Sequence, residues 1–147
     1  MTYRKQPGLI PPILIADDDP SIRSLLRLIV ERAGLDVDVA ADGHEALALI
    51  ERKNYALVLL DLQMPRANGF DVVERLRTKY PRPVIIVLTA LPRSQTVQLD
   101  TNVVQAIVRK PFDVSFLADI IAGTARSMSD SFHDPSSDRA TRSDAGV

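Results

Sequence analysis

Short apolar runs alternate along the chain with amphipathic segments, and turn residues separate them, the pattern of βαβ units building a mostly parallel sheet. Five such units are predicted. Residues 13–16 (Ile-Leu-Ile-Ala) form the first strand, and Pro20, tolerated in a first helical turn, opens a helix with Ile22, Leu25, Leu26 and Ile29 at helical spacing. Gly34 is the expected helix stop. Leu35, Val37 and Val39 alternate with Asp36, Asp38 and Ala40, which predicts a second strand buried mainly on one face, near a sheet edge. Asp42 can cap the next helix, with Ala46, Leu47 and Ile50 turned inward.

Residues 56–60 are an uninterrupted apolar run, the signature of a central strand covered on both faces, and Asp61 stands at its C-terminal end. Phe70, Val73 and Leu76 mark a third helix, and residues 84–88 a fourth strand that stops at Thr89. The stretch 91–102 carries only a weak pattern. Residues 106–108 read as a fifth strand, and Phe116, Leu117, Ile120 and Ile121 supply the apolar stripe of a last helix. Residues 129–147 are rich in Ser, Asp and Arg and nearly free of apolar side chains; such a segment cannot offset the entropy of ordering and is expected to be a disordered polar tail. The expected organisation is thus an N-terminal extension (1–11), one domain (12–128) and the tail.

Composition narrows the chemistry. With 147 residues and 46% apolar content the chain suits one core and therefore one site. No cysteine occurs, so disulfides, thiolate metal sites and cysteine nucleophiles are excluded, in keeping with a reducing compartment. The first residues lack the apolar core of a signal peptide, and the apolar runs are strand-sized, so a soluble, cytoplasmic protein without membrane contact is expected. A formal net charge of -1 argues against direct nucleic-acid binding, which draws much of its affinity from clustered Lys and Arg.

In an open parallel sheet, functional groups gather where the strands end, at the carboxyl edge near the topological switch point. The strand ends here carry Asp17-Asp18-Asp19, Asp61, Thr89 and Lys110. Converging carboxylates repel, and the usual remedy is a hard divalent cation with oxygen ligands, for which magnesium is the natural choice. A carboxylate that also faces a lysine and a hydroxyl is placed to attack phosphorus, because phosphoryl transfer needs chiefly positioning and charge neutralisation. Asp19 reads as a helix cap. His44 and His133 fall at no strand end and receive no role.

These residues resemble the receiver domains of two-component response regulators, from about Ile13 to about Met128. The resemblance rests on ILIADDDPSIR (13–23), LVLLDLQMPRANGFDV (57–72), LTA at Thr89 and KPF at Lys110, in that order. Each motif alone is weak; four in order, with an aspartate ending an apolar strand, are specific. The resemblance implies a doubly wound, flavodoxin-like α/β fold with five parallel strands ordered 2-1-3-4-5 and helices on both faces. It implies Asp61 as the phosphoacceptor, and magnesium held directly by Asp18, by Asp61 and by the backbone carbonyl of Gln63, with Asp17 acting largely through water. Lys110 would contact the phosphoryl oxygens and Thr89 would swing its hydroxyl toward them.

Where the family commonly carries a Gly-Ala pair and an aromatic switch residue before the lysine, this chain has Val103, Val104 and Ile107. Isoleucine offers no ring to alternate between rotamers. The two positions that tune phosphoryl lifetime are Gln63 and Leu91.

The expected function is that of a stand-alone regulator, not an enzyme beyond its own phosphorylation and dephosphorylation. Its partners would be a sensor histidine kinase or histidine phosphotransfer protein and a downstream protein target, and a homodimer through the last helices is compatible. A phosphorelay intermediate is a close rival. A flavodoxin-like nucleotide binder would need a phosphate-cradling loop after the first strand, where three aspartates stand instead. A magnesium-dependent hydrolase would need a general acid for which there is no signal.

Overall fold

The computed structural model describes residues 10–131. Among the described residues, five strands and four α-helices follow in the order β1 (Ile13–Ala16), α1 (Pro20–Arg32), β2 (Val37–Ala40), α2 (Gly43–Arg52), β3 (Leu57–Asp61), α3 (Gly69–Arg77), β4 (Val84–Thr89), β5 (Ala106–Arg109) and α4 (Val114–Ser131). All strand pairs are parallel, and the sheet order is β2-β1-β3-β4-β5. The doubly wound architecture expected from the alternation is therefore present, with α1 and α4 on one face and α2 and α3 on the other.

Residue parity along each strand sorts the core into two layers. Ile13, Ile15, Leu57, Leu59, Ile86 and Leu88 meet Leu26 and Val30 of α1 and Leu117 and Ile121 of α4. Leu14, Val58, Leu60, Ile85 and Val87 meet Ala46 and Ile50 of α2 and Val72, Val73 and Leu76 of α3. β1 and β3 are buried along their whole length, which explains why their sequences lack alternation. Each fully buried Leu or Ile contributes about 1.5–3 kcal/mol relative to exposure, so both layers hold the central strands firmly.

Each helix begins on a short polar residue. Asp19 accepts from the Ser21 amide at 2.8 Å, Asp42 from Glu45 at 2.7 Å, Asn68 from Asp71 at 3.1 Å and Asp113 from Phe116 at 2.9 Å. Gly34, with φ of 82°, ends α1 in the left-handed conformation that its missing side chain permits, and the Leu35 amide closes back onto the Val30 carbonyl. β2 is an edge strand. Its Asp38 projects to the α2 side and accepts from Lys53 Nζ at 2.9 Å and from the Tyr55 hydroxyl at 2.8 Å; burial, and after it the bond to Asp38, raises the Tyr55 pKa.

Three expectations need adjustment. β2 is partly buried on both faces, with Val37 and Val39 against one layer and Ala40 fully buried in the other. The stripe of the last helix is Leu117, Ile121 and Ala125, spaced four apart, so Phe116 falls outside it and is more than half exposed. α4 continues to Ser131, past the expected start of the tail, and the rest of the tail, like most of the N-terminal extension, lies outside the described residues.

No α-helix forms between β4 and β5. A single 3-10 turn at Arg93–Gln95 is followed by turns, and Thr96, Leu99, Val103 and Val104 are buried from this irregular connection. Among the described residues no helix is long and apolar enough to cross a membrane.

Candidate functional site

The strand order decides which strand ends meet. β1 and β3 are neighbours, so Asp17, just after β1, comes beside Asp61, the last residue of β3. β4 and β5 follow on the β3 side, bringing Thr89 and Lys110 to the same carboxyl edge. One carboxylate oxygen from each of Asp17, Asp18 and Asp61 lies within 4.8 Å of the other two. Asp17 and Asp61 are buried and Asp18 is exposed, so the cluster opens to solvent on one side.

Lys110 Nζ is 2.7 Å from Asp17 Oδ2 and 3.4 Å from Asp61 Oδ2, crossing from β5 to β1 and β3. Asp17 Oδ1 accepts from the Asp19 amide at 3.0 Å, and the Asp17 carbonyl accepts from Arg23 at 2.9 Å. Asp61 Oδ1 accepts from the Gln63 amide at 3.0 Å, which turns the Gln63 peptide over the end of β3. Thr89 is fully buried; its hydroxyl accepts from the Leu91 amide at 3.0 Å and its carbonyl from the Lys110 amide at 2.8 Å.

Of the residues singled out from sequence, Asp17, Asp18, Asp61 and Lys110 thus form one cluster, with Thr89 at the adjoining strand end. Gln63 and Leu91 border it through their backbones, while the Leu91 side chain packs on the α2/α3 layer. Ile107 does not join the cluster. It lies inside β5, register partner of Val87, and the residue is 37% exposed.

Sequence reasoning missed the clamp behind the site. The loop after Asp61 is tied to the start of α2: Arg66 pairs with Asp42 at 3.3 Å, and the Gly43 amide donates to the Pro65 carbonyl at 3.4 Å. A methyl group on Gly43 would lie 1.6 Å from the Ala67 carbonyl oxygen, so only glycine fits. A glycine directly after a capping residue was the available signal, at Asp42-Gly43 and again at Asn68-Gly69. Also missed was Arg109, whose side chain reaches from β5 to the β4–β5 connection, a contact that no local pattern encodes.

Two buried carboxylates facing one lysine leave an excess of negative charge. Burial pushes the Asp61 carboxyl up to about 6, aided by the Asp17 charge, against the opposing pull of the Gln63 amide and Lys110. For Lys110, burial works against the charged form, but the Asp17 hydrogen bond and both carboxylates outweigh it, so its pKa is raised.

The Asp61 shift has a measurable consequence. Unfolded, this carboxyl titrates near its ordinary value of 3.8; folded, it holds its proton to about 6. The native state therefore binds more protons between those values, and stability falls as pH rises through that window. A shift of this size amounts to about 2–3 kcal/mol once Asp61 is ionised. In metal-free solution Asp61→Asn should stabilise the fold by about 2 kcal/mol at neutral pH and by almost nothing near pH 4. Urea unfolding of both proteins at the two pH values checks this, and equal stability at neutral pH would contradict it.

Comparison with known proteins agrees with this geometry. The family model for the response regulator receiver domain matches residues 13–122. The chain is 39% identical over 108 residues to the DNA-binding dual master transcriptional regulator RpaA of Synechocystis, a match covering 71% of this chain and 45% of that protein. It is 37% identical over 100 residues to the transcriptional regulatory protein ResD of Bacillus subtilis, covering 68% and 42%. The chain thus spans less than half the length of these relatives. Among solved structures, the receiver domain of the Francisella response regulator 1452 superposes with a TM-score of 0.70 at 30% identity, covering 80% of this chain and 98% of that one. Response regulator protein TrrA of Thermotoga maritima, solved in complex with Mg(2+)-BeF, gives 0.68 at 33% identity, covering 78% and 99%. On this shared fold, with the acidic cluster at the ends of its first and third strands, the chain belongs to the receiver domain family of two-component response regulators.

Proposed function

We propose that Asp61 accepts a phosphoryl group from a phosphohistidine on a sensor kinase or phosphotransfer protein, in a magnesium-dependent reaction. The observation that carries this reading is the cluster of Asp17, Asp18 and Asp61 with a single lysine across it. One Asp61 carboxylate oxygen forms the new O–P bond while the N–P bond of the donor breaks, and the leaving imidazole keeps the electron pair and takes up a proton. Burial strips Asp61 of water and holds its oxygens at the open end of the sheet, and Lys110 lies where phosphoryl oxygens would need a cation.

A hard divalent ion suits this donor set, which offers carboxylate oxygens and excess negative charge. Asp18, Asp61 and the Gln63 carbonyl would hold it directly. Asp17, already engaged by Lys110 at 2.7 Å, would act through water. Bound there, magnesium supplies neutralisation of the phosphoryl oxygens during transfer.

Output would pass by protein contacts to a downstream target, with the cytoplasm as the expected setting. The deciding experiment is transfer of labelled phosphate from a panel of purified histidine kinases, with magnesium and with chelator. One kinase should label the chain rapidly and only with metal. Labelling insensitive to chelation would refute the magnesium-dependent reading.

Asp18 offers a separate check on the metal. Being exposed, it contributes little to the fold, and Asp18→Ala also removes one of three mutually repelling charges. The variant should fold as the parent does yet bind magnesium at least about tenfold more weakly, with phosphorylation falling in step. The chain has no tryptophan, so calorimetric titration is the suitable measurement. Unchanged affinity would remove Asp18 from the metal site.

A further inference from the structure

The connection from β4 to β5 lacks the hydrogen-bond ladder of an α-helix, yet it buries Thr96, Leu99, Val103 and Val104. Arg109 supplies part of what the helix would have supplied. From the end of β5 its guanidinium donates to the Leu91 carbonyl and, at 2.8 Å, to Thr96 Oγ1. Thr96 Oγ1 in turn donates to the Arg93 carbonyl at 3.1 Å, closing the 3-10 turn.

The same peptide region is bound to the site from its other side. The Leu91 amide donates to Thr89 Oγ1 at 3.0 Å. Thr89 and Arg109 are register partners in the β4–β5 ladder, and the Lys110 amide donates to the Thr89 carbonyl at 2.8 Å. A closed ring therefore runs from the Thr89 hydroxyl through Leu91 to Arg109 and back along β5, with Thr96 attached to the same guanidinium.

We propose that Arg109 is a positioning residue that relays the placement of the Thr89 hydroxyl to the helix-free connection between β4 and β5. The inference rests on the phosphorylation reading, in which Thr89 answers the phosphoryl group. It adds the route by which that answer leaves the site: a shift of the hydroxyl moves the Leu91 amide, and the bidentate guanidinium carries the movement to Thr96. The planar fork matters because an ammonium cannot span two acceptors with fixed geometry.

The test is amide hydrogen exchange on the full chain. Without any phosphodonor, Thr89→Val should speed exchange of the amides in 96–104 about tenfold, and should add nothing when Arg109→Gln is already present. Additive effects of the two substitutions would overturn the relay, whether or not Asp61 takes a label. With magnesium and beryllium fluoride as a phosphoryl mimic, the parent should change its exchange across 91–104. Arg109→Gln should bind the mimic within about twofold of the parent but lose that change. Simple loosening would raise exchange in both states and preserve the difference between them, so a preserved difference also overturns the relay.

Arg109→Lys is expected to behave like Arg109→Gln, and rescue by lysine would show that charge alone suffices. Thr96→Val covers the case in which Arg109 variants do not fold. It should lose the mimic-dependent change over 96–104 and keep it at Leu91; a change retained throughout would refute the proposal. If the parent binds no mimic, the phosphorylation reading fails by itself, and the donor-free comparison still decides on Arg109.

Discussion

Asp61→Asn is expected to abolish phosphorylation while leaving a folded and, above about pH 6, more stable protein. Incubated with magnesium and a small acyl phosphate, the parent should gain one phosphoryl mass by intact mass spectrometry, and the variant none. Asparagine keeps the shape of aspartate, but its amide oxygen carries no full negative charge and is a far weaker nucleophile. The expected loss exceeds about a hundredfold in labelling rate, because no other group at this edge is an alternative acceptor of equal geometry. Asp17 is held by Lys110 at 2.7 Å, and Asp18 lies on the solvent side. Undiminished labelling of the variant would place the acceptor elsewhere.

A second large effect is expected from Gly69→Ala, at a position that touches no phosphate. Gly69 is the first residue of α3, and its amide donates to the Leu62 carbonyl at 3.0 Å. A methyl group there would sit 2.4 Å from the Asp61 carbonyl oxygen and 2.6 Å from the Leu62 Cα. Both obstacles are backbone, so either the loop after β3 or the start of α3 must shift. Overpacking of this kind costs about 3 kcal/mol or more, which lowers the melting temperature by roughly 10 °C. Because the displaced peptide follows the acceptor directly, phosphorylation should also slow by at least about tenfold, and metal binding should weaken. A variant with parental melting temperature and labelling rate would show that this approach is not tight in solution.

Much of this architecture was legible in the linear chain because burial and chemistry coincide at the strand ends. β1 and β3 read as central strands since both faces are covered, and the first polar residues after such runs were bound to reach the sheet edge. Asp61 and Thr89 end β3 and β4 as expected, and the bounds moved by only a residue elsewhere: β3 starts at Leu57 rather than Ala56, and β5 runs on to Arg109. The weak pattern after Leu91 corresponds to a real absence of α-helix, where buried residues are spaced irregularly and polar contacts replace periodicity. Phe116 misled because apolarity at a helix start need not lie on the inward stripe. The Arg109 bridge and the Gly43 contact with Ala67 were illegible for a different reason. Both join segments distant in sequence, and neither leaves a local periodicity to detect.

An open parallel sheet ends in two strands that each offer unpaired backbone groups, and β2 is one of them. Such an edge can template a strand from another molecule and so seed intermolecular sheet. Here the edge is only four residues long, and Asp38 near its middle holds Lys53 and Tyr55 against it. An incoming strand would meet a carboxylate and an ammonium where it needs dry, apolar neighbours. By that reasoning, the network that looks like a minor surface feature makes this side of the sheet a poor template for an added strand.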